Sequence, residues 1–157
     1  MTNIGILVSA GLALSAISPS VALAQSQTDT GMGGATLDRE MMATGLFVPP
    51  MDSTAGMRLF ASKGCVVCHS INGVGGTDAP TLDAANMPSP MNPFEFAARM
   101  WRGAQPMVMM QRDELGGQIE LTGQELADII AFAHDPGQQA KFKLSDVPEK
   151  WRKKLSK

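Results

Sequence analysis

Apolar residues at helical spacing predict a helix that begins shortly after residue 52. Ser53 or Thr54 can serve as its N-cap, and its apolar face holds Met57, Phe60 and Ala61. The predicted helix ends just before a short segment that contains both cysteines of the chain. We therefore expect this helix to position the chemistry that the cysteines perform.

Two further helices follow, each with a recognisable start. The second has Asn92 as its N-cap and Pro93 in its first turn. The third begins with a capping box in which Thr122 is the N-cap and Glu125 lies three residues later. The apolar residues of the second helix are Phe94, Ala97, Ala98 and Trp101, and those of the third are Leu126, Ile129, Ile130 and Ala133. We expect the apolar face of the second helix to line a cofactor or to pack on the other helices. Residues 72–91, rich in Gly, Asn and Pro, predict an irregular loop.

Residues 1–24 have the pattern of a secretory signal peptide. An apolar run from Ile4 to Ile17 is followed by an A-x-A cleavage pattern at residues 22–24. No Lys or Arg precedes the run, so an uncleaved membrane anchor is the alternative, although the run is shorter than the ~20 residues of a spanning helix. Residues 25–52 are rich in small and polar residues without periodicity, and we predict a flexible leader there.

The strongest chemical signal is the pentapeptide Cys65-Val66-Val67-Cys68-His69. The order C-x-x-C-H is typical of a covalent attachment site for a c-type haem. Two thiols one helical turn apart can each add to a vinyl group of the same porphyrin, and the adjacent imidazole then lies beneath the iron. The chain contains two cysteines in total, so no thiol is left over for a structural disulfide.

Two other chemistries can use the same cysteines. A thioredoxin-type redox pair needs a βαβ surround, and the sequence does not predict one. A zinc site would combine Cys65, Cys68 and His69 with His134, although two adjacent ligands would strain its tetrahedral geometry. We therefore favour the haem site over both.

The stretch from Gly56 to His69 resembles the amino-terminal helix and haem site of class I monohaem cytochromes c. Residues 78–82 resemble the family's G-P-x-L segment, and residues 125–132 resemble its E-L-A-D-L-I-A-Y pattern. The resemblance implies an all-α fold, with a few helices wrapped around one covalently bound haem c in a domain at residues 53–137. It implies that the Pro80 carbonyl accepts the ring N–H of His69, and that Gly56 and Phe60 cross the last helix at Phe132.

The sixth iron ligand is expected in the methionine-rich stretch of residues 104–110. Residues 100–107 resemble the family's W-x-x-A-P-x-M loop, which implies that Met107 ligates the iron and that Trp101 donates its indole N–H to a haem propionate. Met109 and Met110 are the alternative ligands, and Trp101 is equally well an ordinary core residue. The three methionines could instead bind copper(I). Met87, Met91 and Met100 are interpreted as gap-filling residues.

Two features near the C-terminus have more than one interpretation. His134 is expected to be a surface residue that interacts with the C-terminus of its helix, with a distal haem ligand as the alternative. The whole chain has a net charge of −2, but residues 138–157 have seven basic and two acidic side chains. We predict a basic C-terminal tail that either docks a redox partner or is simply solvated.

These observations predict one-electron transfer by a haem with His69 and Met107 as axial ligands, in a protein that is not itself an enzyme. Export and haem attachment indicate the periplasm, with a periplasmic redox protein or oxidoreductase as the partner. We expect no nucleic-acid partner for an exported, acidic haem protein. One alternative is a cytochrome subunit of a periplasmic oxidoreductase complex. The other is a haem enzyme or gas sensor with an open sixth position.

Overall fold

The computed structural model describes residues 45–155, which form six helices and one short hairpin. The helices are α1 (Ser53–Ser62), α2 (Pro93–Arg102), α3 (Ala104–Leu115), α4 (Gly123–His134), α5 (Pro136–Gln139) and α6 (Glu149–Leu155). Short 3-10 turns lie at Cys65–Val67, Ala84–Asn86 and Leu144–Asp146. The predicted all-α fold is therefore confirmed. Within residues 45–155 no helix combines the length and the apolar character that a membrane crossing requires. The predicted signal peptide and residues 25–44 of the predicted leader lie outside the described residues.

The N-cap of α1 is Asp52, so the prediction of Ser53 or Thr54 as the cap is wrong by one or two residues. Its carboxylate accepts hydrogen bonds from the backbone N–H groups of Thr54 and Ala55, at 2.8 and 3.0 Å. The Ser53 hydroxyl instead donates to the carboxylate of Asp135, at 2.6 Å. A carboxylate is the better cap here because it adds a negative charge to the positive end of the helix dipole. The predictions for α2 and α4 are confirmed, with Asn92 as one cap and the Thr122–Glu125 capping box as the other.

The core is centred on the crossing of α1 and α4. Phe60, Phe132 and Phe142 are almost fully buried, and their ring centroids lie 5.6–5.8 Å apart in tilted and edge-to-face contacts. Gly56 lies directly against α4, where a Cβ would overlap the Asp128 carbonyl and lie 2.8 Å from the Cβ of Phe132. The crossing implied by the resemblance is therefore present, and its closeness depends on a residue without a side chain.

A two-stranded hairpin at residues 70–75 overlaps the start of the predicted loop of residues 72–91. Strands β1 (Ser70–Ile71) and β2 (Val74–Gly75) pair antiparallel, with Ile71 opposite Val74. The two turn residues, Asn72 and Gly73, have φ of 49° and 78°, which is the left-handed pair that a type I′ turn requires. The prediction of an irregular loop is wrong here, because Asn-Gly is the strongest short-range hairpin signal in a sequence.

The apolar face predicted for α2 does not pack on the other helices. Phe94 is 67% exposed and Trp101 is 82% exposed. The buried residue of this helix is Phe96, which packs with Ile130 and Ala133 of α4. Of the two predicted alternatives, packing on the other helices does not hold for Phe94 and Trp101, because Phe96 lies on a different face of the helix. Whether the exposed face lines a porphyrin stays a prediction.

Residues 138–155, predicted as a basic tail, pack on the domain. Phe142 and Val147 are buried in the same core as Phe60. Trp151 packs against this core and donates its indole N–H to the Ser62 carbonyl, at 3.1 Å. The net charge of the segment did not predict this packing, because the few apolar residues that pack on the core lie among many basic residues.

The carboxylate of Asp135 connects the end of α4 to the start of α1. Hydrogen bonds from the Ser53 hydroxyl and from the Gln138 backbone N–H hold the pKa of Asp135 below its usual range. A carboxylate whose pKa is lower in the folded state stabilises the fold above its unfolded pKa. That contribution is lost as the pH falls through the folded pKa.

We expect Gly56→Ala to destabilise the protein by about 1–3 kcal/mol, because the new Cβ would push α1 away from α4. Urea unfolding followed by far-UV circular dichroism measures the change. Gly123→Ala is the matched control, since no atom lies within 4 Å of its Cβ position and the substitution favours helix. Equal stability of the two variants would contradict the close crossing.

Trp151→Ala should lower the free energy of unfolding by about 2–3 kcal/mol, less than a fully buried tryptophan because Trp151 is half-buried. The loss has two sources, the packing on the core and the hydrogen bond to Ser62. Leu144→Ala, at a side chain that is 52% exposed, serves as the control within the same segment. If this segment were a solvated tail, the two variants would have the same free energy of unfolding.

Ser53→Ala should destabilise the fold near neutral pH and lose this effect as the solution is acidified through the titration of Asp135. The stability difference from the original protein is measured by urea unfolding at a series of pH values below 7. Ser62→Ala, at an exposed position of the same helix, should show a difference that does not depend on pH. A pH-independent effect of Ser53→Ala would show that Asp135 is not its partner.

Candidate functional site

The Cys-Val-Val-Cys-His segment forms a single tight turn directly after α1. Gly64 adopts φ of 92°, a left-handed conformation that ends the helix and starts the 3-10 turn Cys65–Val67. The backbone N–H groups of Cys68 and His69 both hydrogen-bond to the Cys65 carbonyl, at 3.3 and 3.0 Å. Val66 and Val67 are buried and anchor the turn. Both cysteines are free thiols presented by one turn.

The His69 ring is held by a single backbone carbonyl. Its Nδ1 lies 2.7 Å from the carbonyl oxygen of Pro80. Because a carbonyl oxygen can only accept, Nδ1 has a proton, and in the neutral ring Nε2 therefore has the lone pair. The Ala79 N–H donates to the Cys68 carbonyl at 3.0 Å, which ties the Pro80 segment to the motif. This is the arrangement in which a histidine is ready to bind a metal ion through Nε2.

Before a haem is attached, burial disfavours the thiolate form of both cysteines. Burial raises the pKa of the Cys65 thiol to about 11. Burial also raises the pKa of Cys68, and the carboxylates of Asp78 and Glu114 add to the shift. Neutral thiols do not repel each other across the turn.

The glycines that follow the motif allow the hairpin to lie against it. A Cβ on Gly75 would overlap the His69 carbonyl, and a Cβ on Gly76 would overlap the Val67 carbonyl. The Gly76 N–H donates to the Val66 carbonyl at 2.9 Å. Sequence analysis missed this role, although the Gly-Gly pair soon after the histidine was the available signal.

Helix α3 lies beside the motif at its C-terminal end. A Cβ on Gly64 would lie 3.2 Å from both the Leu115 methyl group and the Trp151 ring. Glu114 is close enough to influence the pKa of Cys68. Met107 lies seven residues before Glu114, which is about two helical turns, so both are on the same side of α3. Met107 and Met110 are half-buried, whereas Met109 is 57% exposed on a different side.

The other predicted residues are placed as follows. Residues 104–110, which resemble a family loop, form the first turns of α3. Trp101, the residue before the last of α2, has a largely exposed side chain, so the alternative of an ordinary core residue is wrong. His134 is half-buried, not on the surface as expected, and its Nδ1 donates to the Ile130 carbonyl at 2.8 Å. Among residues 45–155 no group of three His, Cys, Asp or Glu side chains could hold a metal ion, so the zinc hypothesis is wrong.

These residues fit a haem c. Two free thiols lie on one turn, and the imidazole beside them has its Nδ1 engaged and its Nε2 lone pair available. Haem c requires that pairing of thioether-forming sulfurs with a neutral imidazole. The thioether sulfurs of Met107 and Met110 lie on the adjacent helix as candidate sixth ligands.

Comparisons with known proteins agree with this chemistry. The family model described as Cytochrome c matches residues 53–134, which run from the start of α1 to the end of α4. No curated protein and no solved structure matches the chain. The matched range includes the motif, the Pro80 segment and α3. The chain therefore belongs to the cytochrome c family, with a covalently attached haem c as its cofactor and haem-based electron transfer as its function.

Proposed function

We propose that this chain is a periplasmic monohaem electron carrier in which Cys65 and Cys68 attach the haem and His69 and Met107 are the axial ligands. The observation that supports it most directly is the 2.7 Å contact between His69 Nδ1 and the Pro80 carbonyl. When bound, haem c supplies an iron that exchanges one electron between its ferrous and ferric states. The protein holds that iron in a fixed environment and adds no organic chemistry.

The Pro80 carbonyl does two things for His69. It fixes the tautomer with Nδ1 protonated, so that Nε2 is the ligating nitrogen. It also makes Nε2 a stronger electron-pair donor to a metal ion, because the hydrogen bond places partial negative charge beside the ring. Since the ring is held before and after electron transfer, little rearrangement accompanies each change of oxidation state.

Met107 is the sixth ligand that the position of α3 favours. It shares a side of the helix with Glu114, and Glu114 is near Cys68. Met109 lies about 200° around the helix from Met107 and is mostly exposed. A thioether is a weak donor that favours ferrous iron and raises the reduction potential. Trp101, at the end of the preceding helix, is assigned to a haem propionate by the family resemblance.

The location and the partner rest on the sequence. Export through the predicted signal peptide at residues 1–24 would bring the chain to the periplasm, where a redox protein or an oxidoreductase would exchange electrons with it. The second candidate is a cytochrome subunit of an oxidoreductase complex. The segment of residues 135–155 favours it, because this packed segment lies beyond the family match and enlarges the surface available to a partner. Copurification of the chain with a larger protein would favour the oxidoreductase subunit over the free electron carrier.

We expect Met107→Leu to abolish the weak red charge-transfer band that methionine sulfur gives to ferric haem c, and to lower the reduction potential. Leucine keeps the volume but has no sulfur, so the effect comes from lost ligation and not from a packing defect. Absorption spectra of the oxidised protein and a redox titration measure both quantities.

Met109→Leu and Met110→Leu are the matched controls, and both should keep the band and the potential. Loss of the band in Met110→Leu instead would move the ligand one helical turn along the same side of α3. If the original protein lacks the band and binds carbon monoxide at neutral pH, the sixth position is open. That result would contradict the electron-carrier function and favour a haem enzyme or a gas sensor.

A further inference from the structure

A second cluster of soft donor atoms lies apart from the haem motif. Three methionines and one histidine line a cavity of about 360 Å³ beside the C-terminal half of α4. The four residues are Met51, Met87, Met91 and His134. The remaining lining residues are Ala, Pro, Ser and Ile, so the cavity wall has no carboxylate, lysine or arginine. Such a wall suits a soft ligand of low charge better than a hard cation.

The contact between the His134 ring and the Met91 sulfur lacks a proton when the ring is neutral. Nδ1 of His134 donates to the Ile130 carbonyl at 2.8 Å, so in the neutral ring Nε2 has a lone pair and no proton. That Nε2 lies 2.8 Å from the sulfur of Met91. A thioether sulfur has no proton to donate, so two electron-pair donors face each other. A cation between them would turn this repulsion into two bonds.

The geometry points to a copper(I) site in which His134 Nε2 and Met91 Sδ are the first two ligands and the thioethers of Met87 and Met51 complete the coordination. Thioether sulfur and imidazole nitrogen are ligands that select copper(I). The Ile130 carbonyl holds the His134 ring as backbone carbonyls commonly hold metal-ligating histidines.

Binding requires only a small movement. Two ligands at about 2.0 Å (nitrogen) and 2.3 Å (sulfur) from a tetrahedral ion are about 3.5 Å apart, so the two atoms must separate by less than about 1 Å. Met91 precedes the N-cap of α2 and has three rotatable side-chain bonds, so it can make this adjustment without moving a helix. Phe96, packed edge-on to the His134 ring, keeps the imidazole in place.

The test uses the full-length, haem-loaded protein in its ferrous form under anaerobic conditions, labelled with ¹³C at the methionine methyl groups. Copper(I) is titrated against a chelator of known affinity. We expect one tightly bound ion, with shifts of the Met91 and Met87 methyl signals and none at Met100. Met91→Leu and His134→Gln should each weaken binding at least about 10-fold, and Met100→Leu should not.

Three results would overturn the proposal. The first is no uptake of copper(I), with His134 protonated at both ring nitrogens, because an Nε2–H donating to sulfur would then explain the contact. The second is binding that Met91→Leu leaves unchanged. The third is binding that shifts the methyl signals of Met109 and Met110 instead, which would place the ion on α3. The methyl shifts are measured on the original protein and therefore decide the question even if a variant fails to fold.

Discussion

The close approach of α1 to α4 at Gly56 is the constraint on which the rest of the structure depends. With no Cβ at this position, the backbone of α1 lies against the Asp128 carbonyl, and Phe60 reaches the ring of Phe132. Phe142 completes the aromatic group from a segment far along the chain. Each ring is buried only because the two helices touch, so one glycine determines whether the core closes.

The crossing also determines where the haem motif lies. α1 ends at Ser62, and the left-handed Gly64 turns the chain directly into Cys65. Lys63, between them, forms an ion pair with Glu125 at 2.7 Å and donates to the Glu120 carbonyl at 3.0 Å, which attaches the end of α1 to the start of α4. The turn that presents the thiols therefore has little freedom to move relative to the helices.

Short sequence patterns predicted the helix starts and the haem motif, but they did not predict the packing between distant parts of the chain. The caps at Asn92 and Thr122 and the C-x-x-C-H motif are short patterns whose chemistry depends on a few neighbours. The packing of Trp151 on the Ser62 carbonyl joins residues that are 89 positions apart, and no local pattern encodes it. The face of α2 was misjudged for the same reason, since Phe94 and Phe96 are equally apolar and only the position of α4 selects Phe96.

The two histidines of the chain show how one local rule leads to different chemistry. Both donate Nδ1–H to a backbone carbonyl, Pro80 for His69 and Ile130 for His134, so each neutral ring has its lone pair on Nε2. His69 lies beside two thiols on the same turn, which is what covalent haem attachment requires. His134 faces a thioether in an uncharged cavity. The same hydrogen bond orients a ligand nitrogen in each case, but the sulfurs differ in role: those beside His69 attach the porphyrin, whereas the one beside His134 can itself be a ligand of the proposed copper(I) ion.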